Sequence, residues 1–260
     1  MNTDENNIKI NCYTVKKSLF PGTHFKREAK HKTVIFYFSP KHFESRVNNF
    51  WLVLSSEEKE RARKFHFPRD KNNYIVCHAL LRLVIAQTLN MHPPEIIIHT
   101  GSNNKPYLEG NSLYFNLSHT EGTGAIAISE ENDIGIDIEK INPAIDYTAI
   151  YGSHYTKEEQ KLLKGASKPE ECFYLLWTRK EALLKAIGIG LHTDLQQINV
   201  GGRKNRIHKS AFTRHSGAMI NNSYSIYSKK MDGCFLSVAC PDKSAIDFVN
   251  LTGKNIKQIL

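Results

Sequence analysis

The sequence contains no long hydrophobic run, and none of its apolar stretches approaches the roughly eighteen residues of a membrane-spanning helix. The stretch from Met1 to Asn7 is polar and acidic, whereas a secretory signal peptide starts with basic residues and continues with an apolar segment. The five cysteines are scattered, and none lies in a Cys-x-x-Cys pair, so they support neither a disulfide framework nor a zinc site. We therefore expect a cytoplasmic protein that is not exported and does not bind a membrane.

Motifs that would identify several other functions are also missing. No Gly-x-x-x-x-Gly-Lys-Ser/Thr loop is present, which argues against a nucleotide-dependent Mg²⁺ phosphotransferase. The paired aromatic motifs of RNA-binding domains are absent, and no Gly-x-Ser-x-Gly elbow indicates a hydrolase. The phosphotransferase and a non-catalytic basic binding protein stay open as alternative functions.

The composition is that of a folded, basic protein. Apolar residues make up 40% of the 260 residues, which is enough to form the core of one large domain or of two halves. Lysine and arginine number 35, against 26 aspartate and glutamate residues, and the net charge is +9. This charge favours an anionic partner such as a phosphate, a nucleic acid, a membrane surface or an acidic protein, without choosing among them.

The most informative pattern is an acidic strand followed by a helix that carries a carboxylate and a lysine. In residues 134–139 apolar and other residues alternate, so Asp137 and Glu139 point to the same face of a strand, about 7 Å apart. Two carboxylates on one face repel each other, and a hard divalent cation with oxygen ligands is their usual partner. Glu181 and Lys185 share one stripe of the helix, so Glu181 can supply a third ligand and Lys185 can meet a phosphate on the same ion. The alternative is a solvated strand end and a weak surface salt bridge.

Three further segments are candidate anion contacts, each weak alone: Ser118 with His119, Lys105 with Pro106, and the cluster of Arg61, Arg63 and Lys64. The Ser-His pair ends a predicted strand, although such a pair is more often part of a turn. The Lys-Pro pair follows a predicted turn, where proline would fix the lysine at a loop edge. The basic cluster is either an anion clamp or a solvated helix face.

Hydrophobic periodicity and capping signals predict an α+β protein. Helices are predicted at about 55–64, 71–89, 156–164 and 169–187. Strands are predicted at 34–38, 96–98, 113–117, 124–128, 134–139, 224–227 and 235–239, the last two as a hairpin. We expect residues 1–32 to form a loosely structured N-terminal extension, residues 33–131 an N-terminal half and residues 132–260 a C-terminal half that carries the acidic strand.

Taken in order, these segments resemble the Sfp-type 4′-phosphopantetheinyl transferases. The resemblance spans about residues 34–239 and rests mainly on the acidic strand together with the segment from Trp177 to Lys185 and Gly188. It implies a pseudo-dimer of two similar α+β halves in one chain, with coenzyme A bound in the cleft between them. Asn72 and Asn73 depart from the family pattern, since many relatives carry arginine or histidine just after the aspartate at this point.

The resemblance also implies a role for each candidate residue. Asp137, Glu139 and Glu181 would bind Mg²⁺, with Mn²⁺ as an alternative, and the ion would hold the pyrophosphate of coenzyme A. Lys185 would neutralise charge on that pyrophosphate and on its leaving group, so Glu181, Lys185 and Asp137 are the predicted catalytic residues. The predicted contacts to the rest of coenzyme A, around its adenine and 3′-phosphate, are Ser118, His119, Lys105, Pro106, Arg61, Arg63 and Lys64.

The implied reaction is attack by a serine hydroxyl of an apo acyl or peptidyl carrier protein on the β-phosphorus of coenzyme A. The products are the holo carrier and adenosine 3′,5′-bisphosphate, and Glu181, or a water that it relays, would take the serine proton. Carriers of fatty-acid, polyketide and nonribosomal peptide synthesis all present such a serine and are commonly acidic around it. Because one chain supplies both halves, a monomer without a nucleic-acid partner is expected.

Overall fold

The structure is a computed structural model that describes residues 6–15, 33–101, 103–111, 113–190, 194–212, 221–241, 246–254 and 256. Apart from short 3₁₀ turns, these residues form the following helices and strands: β1 (Asn7–Thr14), β2 (Thr33–Phe38), α1 (Val47–Val53), α2 (Ser56–Arg63), α3 (Pro68–Leu89), β3 (Ile98–Thr100), β4 (Pro106–Leu108), β5 (Tyr114–Thr120), β6 (Thr123–Ser129), β7 (Gly135–Lys140), α4 (Thr148–His154), α5 (Lys157–Gly165), α6 (Pro169–Ile187), β8 (Lys204–His208), β9 (Ser223–Met231), β10 (Cys234–Pro241) and β11 (Ile246–Leu251). Among the described residues, none of the helices has both the length and the apolar character needed to cross a bilayer.

The chain divides into two compact units, and each is α+β, as predicted. Unit 1 comprises the described residues within Met1–Lys17, Thr100–Lys105 and Asn132–Ala245. Unit 2 comprises those within Ser18–His99, Pro106–Glu131 and Ile246–Leu260. Each unit has its own apolar core of buried residues.

Unit 1 is built on a five-stranded sheet in the order β7-β10-β9-β1-β8. Helix α6 packs on β7, β10 and β9, and α5 packs on α6. Proline at the first turn of α6 costs no hydrogen bond, because the first amides of a helix have no partner within it, and Gly188 ends the helix in the left-handed conformation at φ 80°. The predicted helix at 169–187 is confirmed. So is the predicted hairpin, since β9 pairs antiparallel with β10.

Unit 2 is built on a four-stranded sheet in the order β11-β2-β6-β5, and β3 pairs with β4 separately. Helix α3 supplies much of the core, while α1 and α2 pack against α3. Helix α2 begins with a capping box, since the Ser55 side chain accepts from the Glu58 amide and the Glu58 side chain accepts from the Ser55 amide. Glu58 also accepts a hydrogen bond from Arg82 Nε of α3 at 2.6 Å, and this largely buried ion pair holds α2 on α3.

The prediction that residues 1–32 are a loosely structured extension is wrong for Asn7–Thr14. These residues form β1, which pairs antiparallel with β8 and parallel with β9 inside the sheet of unit 1. Ile8, Ile10 and Cys12 alternate with more polar residues and are buried, which is the period of a half-buried strand. The polar sequence on either side obscured this short pattern. The rest of the predicted extension, except Asn6 and Val15, lies outside the described residues.

The C-terminal end of the chain also differs from the predicted halves. Residues 132–260 were expected to form one half, whereas β11 belongs to unit 2 and pairs parallel with β2. Phe248, Val249 and Leu251 of β11 are buried. A parallel partner lies far away in the sequence, so local periodicity cannot indicate the sheet that this strand joins.

We predict that Ile10→Ala lowers the free energy of unfolding by about 2 to 4 kcal/mol, because a fully buried side chain leaves a cavity in the core of unit 1. Lys9→Ala, on the exposed side of the same strand, should cost well under about 1 kcal/mol. Urea denaturation measures both. Equal costs for the two variants would show that β1 does not pack in the sheet.

Candidate active site

The acidic strand β7 lies directly against helix α6 because residue 135 is glycine. A Cβ atom at Gly135 would lie 2.0 Å from the carbonyl oxygen of Ala182 and 2.3 Å from the backbone nitrogen of Ala186. No side chain fits at those distances, so the backbone of α6 can approach the strand only at a glycine. This close approach brings the side chains that follow Gly135 on β7 near those on the last turns of α6.

Asp137 and Lys185 form the central contact of the site. Lys185 Nζ donates to Asp137 Oδ1 at 2.6 Å, and the aspartate side chain is only 4% exposed. A buried carboxylate is stable in its charged form only with a cation or several donors close by. In this structure the ammonium group of Lys185 is a cation next to Asp137, while the divalent ion expected for the acidic strand stays a prediction.

Glu181 lies one helical turn before Lys185 and has an unusual pKa. Burial, followed by the nearby negative charge of Asp137, raises the pKa of Glu181 from 4.5 to about 7, and Glu139 adds to the effect while Lys185 opposes it. The influence of both strand carboxylates on the pKa of Glu181 indicates that Asp137 and Glu139 lie within electrostatic range of it. A carboxylate with this pKa is suited to accept a proton near neutral pH.

A buried network of hydrogen bonds joins α6 to the sheet beside the site. Ser237 is the cross-strand partner of Asp137, and its hydroxyl contacts Thr178 Oγ1 of α6 at 2.8 Å and Ser228 Oγ at 2.9 Å. Arg179 Nε donates to the same Ser228 hydroxyl at 3.1 Å. Thr178 and Arg179 link α6 to β10 and β9, and the Ser228–Ser237 contact joins these two strands, so the network fixes the helix against the sheet beside Asp137.

Lys180, the neighbour of Glu181, fixes the orientation of α6 about the helix axis. The Lys180 ammonium is fully buried and donates to the carbonyl oxygens of Leu195 and Ile198, both at 2.7 Å. It also pairs with Glu159 at 2.7 Å, and that carboxylate accepts from the Val200 amide. Sequence reasoning missed this role, because a lysine among charged residues in a helix is usually exposed.

Lys105 is attached to the C-terminal end of α6 within unit 1. Its ammonium donates to Asp133 Oδ1 at 2.6 Å and to the carbonyl oxygen of Ala186 at 2.9 Å. The negative end of the helix dipole favours a cation at this position. Lys105 therefore contacts α6 at Ala186, the residue that follows Lys185. Pro106 begins β4 in unit 2.

Ser118 and His119 lie at the end of β5 in unit 2, on opposite faces of the strand. Ser118 is buried, whereas His119 is exposed and lines a cavity of about 370 Å³. The other residues that line this cavity are Phe65, Arg69, Asp70, Asn73, Tyr74, Thr120 and Glu121. Asn73, one of the departures from the family pattern, therefore lines the same cavity as His119.

The structure separates the members of the predicted basic cluster. The Arg61 guanidinium lies 5.8 Å from the ring centroid of Tyr74, which lines the His119 cavity. The Arg63 guanidinium instead lies 5.4 Å from the ring centroid of Trp51, and Lys64 is exposed. Residues two apart on a helix face different directions, so the three cations cannot act as one clamp from a single helix face.

The donor set of the acidic region fits a hard divalent cation, because it consists of carboxylate oxygens only. Within the described ranges, however, no three His, Cys, Asp or Glu side chains are arranged as a group that could hold a metal ion. Asp137 and Glu139 lie in electrostatic range of Glu181. Asp137 also forms an ion pair with Lys185. The predicted roles of the individual residues stay predictions.

Comparison with known proteins identifies the family of this chain. Residues 133–226 match the family model of the 4′-phosphopantetheinyl transferase superfamily, and residues 40–131 match the model of a 4′-phosphopantetheinyl transferase N-terminal domain. The chain belongs to the 4′-phosphopantetheinyl transferase superfamily. The first match contains β7 and α6 with the acidic strand, Glu181 and Lys185, and the second contains Ser118 and His119.

Three relatives in this superfamily illustrate the degree of similarity. The chain is 32% identical to the Synechocystis sp. protein slr0495, with 58% of the chain and 64% of that protein aligned. It is 30% identical to the 4′-phosphopantetheinyl transferase HetI of Nostoc sp., over 60% of the chain and 68% of that protein. It is also 30% identical to the 4′-phosphopantetheinyl transferase Sfp of Bacillus subtilis, over 58% of the chain and 67% of that protein. The alignments thus span about two thirds of the relatives' length.

We predict that Gly135→Ala destabilises unit 1 by about 3 kcal/mol or more, because the new methyl group meets the rigid backbone of α6. Gly152→Ala is the matched control, since a Cβ there meets no atom within 4 Å, and it should be neutral or slightly stabilising. Chemical denaturation of the two variants measures the difference. A neutral effect of Gly135→Ala would mean that α6 does not pack this closely on β7.

The raised pKa of Glu181 predicts a specific pH dependence of stability in the presence of a chelator. The folded state binds the Glu181 proton more tightly than the unfolded state, so stability falls as the pH rises through the range from 4.5 to about 7. Glu181→Gln removes this loss. The variant should therefore gain up to roughly 3 kcal/mol relative to the wild type between pH 5 and pH 8, as measured by urea denaturation. Parallel stability profiles for the two proteins would contradict the burial of this carboxylate among like charges.

Proposed function

We propose that this protein transfers the 4′-phosphopantetheine arm of coenzyme A to a serine of an apo carrier protein. Membership in the superfamily supports the reaction class. The observation that carries the proposal is the grouping of Asp137, Lys185 and a Glu181 of raised pKa at the contact between β7 and α6. These groups provide what a phosphoryl transfer needs, namely a proton acceptor and a cation for the developing negative charge.

In the proposed reaction the carrier serine oxygen forms a bond to the β-phosphorus of coenzyme A. The bond between that phosphorus and the bridging oxygen breaks, and adenosine 3′,5′-bisphosphate leaves with the electron pair. Glu181 accepts the serine proton, directly or through a water, and its pKa of about 7 suits this task. Lys185 neutralises the charge that grows on the leaving group. The Asp137 carboxylate holds the Lys185 ammonium in place at 2.6 Å.

Mg²⁺ fits the carboxylate donors of this region, and Asp137, Glu139 and Glu181 would hold it, with Mn²⁺ as the alternative. When bound, the ion would neutralise the pyrophosphate of coenzyme A and polarise its phosphorus. The support for this assignment is the nearness of the carboxylates: after burial, the negative charges of Asp137 and Glu139 contribute to the raised pKa of Glu181, and a divalent cation would relieve that repulsion.

The coenzyme A contacts are proposed residue by residue from the family resemblance. Ser118, His119 and Arg61 would meet the 3′-phosphate end, supported by the cavity that His119 lines beside Tyr74. Lys105 and Pro106 would border the adenine. Lys185 would meet the pyrophosphate. The coenzyme A cleft, the monomeric state and the cytoplasmic location remain predictions, as does the choice among fatty-acid, polyketide and peptide-synthetase carriers.

The deciding experiment incubates the purified protein with Mg²⁺, coenzyme A and an apo carrier. One phosphopantetheine arm should be added to the carrier, which intact-mass spectrometry detects as a single increment. A chelator should block the addition, and a carrier with its serine changed to alanine should never acquire the arm. If no carrier class gains the arm while coenzyme A still binds, the non-catalytic binding protein becomes the better description.

We predict that Lys185→Met lowers kcat by roughly a hundredfold and changes the KM for coenzyme A much less, because the ammonium acts on charge that grows in the transition state. Lys161→Met changes an exposed lysine of α5 in the same way and serves as the control. Steady-state kinetics with both variants separates the two parameters. An unchanged kcat for Lys185→Met would reduce the Asp137–Lys185 contact to a structural ion pair.

A further inference from the structure

Trp51 of α1 has two cations on its ring, and neither contacts the candidate active site. The Arg63 guanidinium lies 5.4 Å and the Lys71 ammonium 5.6 Å from the ring centroid. Cation–π contacts of this kind restrict flexible side chains at a surface. Both positive charges therefore lie within about 6 Å of one ring centroid, and together they raise the local potential for an anionic group.

Large apolar side chains flank these cations in the chain. Leu52, next to Trp51, is 71% exposed, and Phe67, one helical turn before Lys71, is 70% exposed. We refer to Trp51, Leu52, Arg63, Phe67 and Lys71 as the Trp51 patch. Tryptophan, phenylalanine and arginine are enriched in protein interfaces, and side chains as exposed as Leu52 and Phe67 contribute little to the stability of an isolated unit.

Among the described residues of unit 2, the charge of Arg63 takes no part in the ion pair that holds α2 on α3. That largely buried pair is formed by Glu58 and Arg82, whereas Arg63 lies over the Trp51 ring. Arg63 forms an ion pair with Glu60 on its own helix, and both side chains are more than half exposed. An exposed pair of this kind contributes little, so a carboxylate of a partner can replace Glu60.

We infer that the Trp51 patch is a docking surface for the acidic face of the carrier protein, which reassigns Arg63 from coenzyme A to the carrier. This inference rests on the proposed function. Charge complementarity selects the occupant, because the chain carries +9 and carriers are commonly acidic around the modified serine. The exposed leucine and phenylalanine favour a protein over a nucleic acid, since apolar side chains gain little from a phosphate backbone.

The first measurement is equilibrium binding of an apo acyl carrier protein by calorimetry, without coenzyme A, so that it does not depend on transfer. Arg63→Glu and Lys71→Glu should each raise the Kd for the carrier by roughly threefold to tenfold, an effect that 0.5 M salt should largely remove. Lys204→Glu changes the net charge equally at an exposed position of β8 and should leave the Kd within about twofold. An equal effect of all three variants, or no carrier binding by the wild type, would overturn the inference.

The second measurement separates carrier docking from coenzyme A binding. In steady-state transfer, Arg63→Glu should raise the KM for the carrier and leave the KM for coenzyme A unchanged, whereas Arg61→Glu should raise the KM for coenzyme A. A rise in the KM for coenzyme A with Arg63→Glu would return this residue to the coenzyme A site. If the wild type transfers no arm but the binding experiment succeeds, the proposed function fails while the docking surface stands.

A charge swap gives the sharpest test of direct contact. Single acidic residues next to the carrier serine are changed to lysine, and each carrier variant is titrated against the wild type and against Arg63→Glu. One carrier variant should bind Arg63→Glu at least about threefold more tightly than the unmodified carrier does, because the pair has exchanged its signs. Strictly additive effects for every carrier position, or tighter binding of a nucleic acid than of the carrier, would reject the patch as a carrier site.

Discussion

The site of this protein depends on how closely one helix can approach one strand. Gly135 lets the backbone of α6 contact β7 directly. Because the two backbones are this close, the Lys185 ammonium group lies 2.6 Å from the Asp137 carboxylate. The other stabilising features maintain the same contact: Ser237 bonds to α6 next to Asp137, and Lys180 fixes the rotation of the helix through carbonyl oxygens on its far side. The charged groups that suit phosphoryl chemistry are thus held by backbone packing and by buried hydrogen bonds, some of them from the charged side chains of Lys180 and Arg179.

The same contact explains why the carboxylates remain available for chemistry. Asp137 is compensated by Lys185, whereas burial and then the negative charge of Asp137 raise the pKa of Glu181. A carboxylate in that state is stabilised by an added proton or cation. In its charged form Glu181 therefore lowers the stability of the fold, as is common for groups at functional sites.

Sequence patterns predicted the parts that depend on local periodicity and local caps. Residues close together in the sequence were enough to predict the helix at 169–187 and its end at Gly188. The same holds for the placement of Asp137 and Glu139 on one face of β7. Long-range pairing was not predictable in this way: β1 was assigned to an extension and β11 to the wrong half, because both strands gain their partners from distant segments. Lys180 and Arg179 look like surface residues in the sequence, and only the fold shows that they are buried with their donors satisfied.

The exchange of terminal strands between the units has a consequence for synthesis of the protein on the ribosome. Among the described strands of its sheet β1 is translated before the others, yet it lies between β9 and β8 and must wait until those strands have been made. Strands β2, β5 and β6 of unit 2 precede β8, β9 and β10, but its edge strand β11 comes after every described strand of unit 1. The sheet of unit 1 and the β11 edge of unit 2 are therefore completed late, and part of each nascent core stays open to chaperones until then.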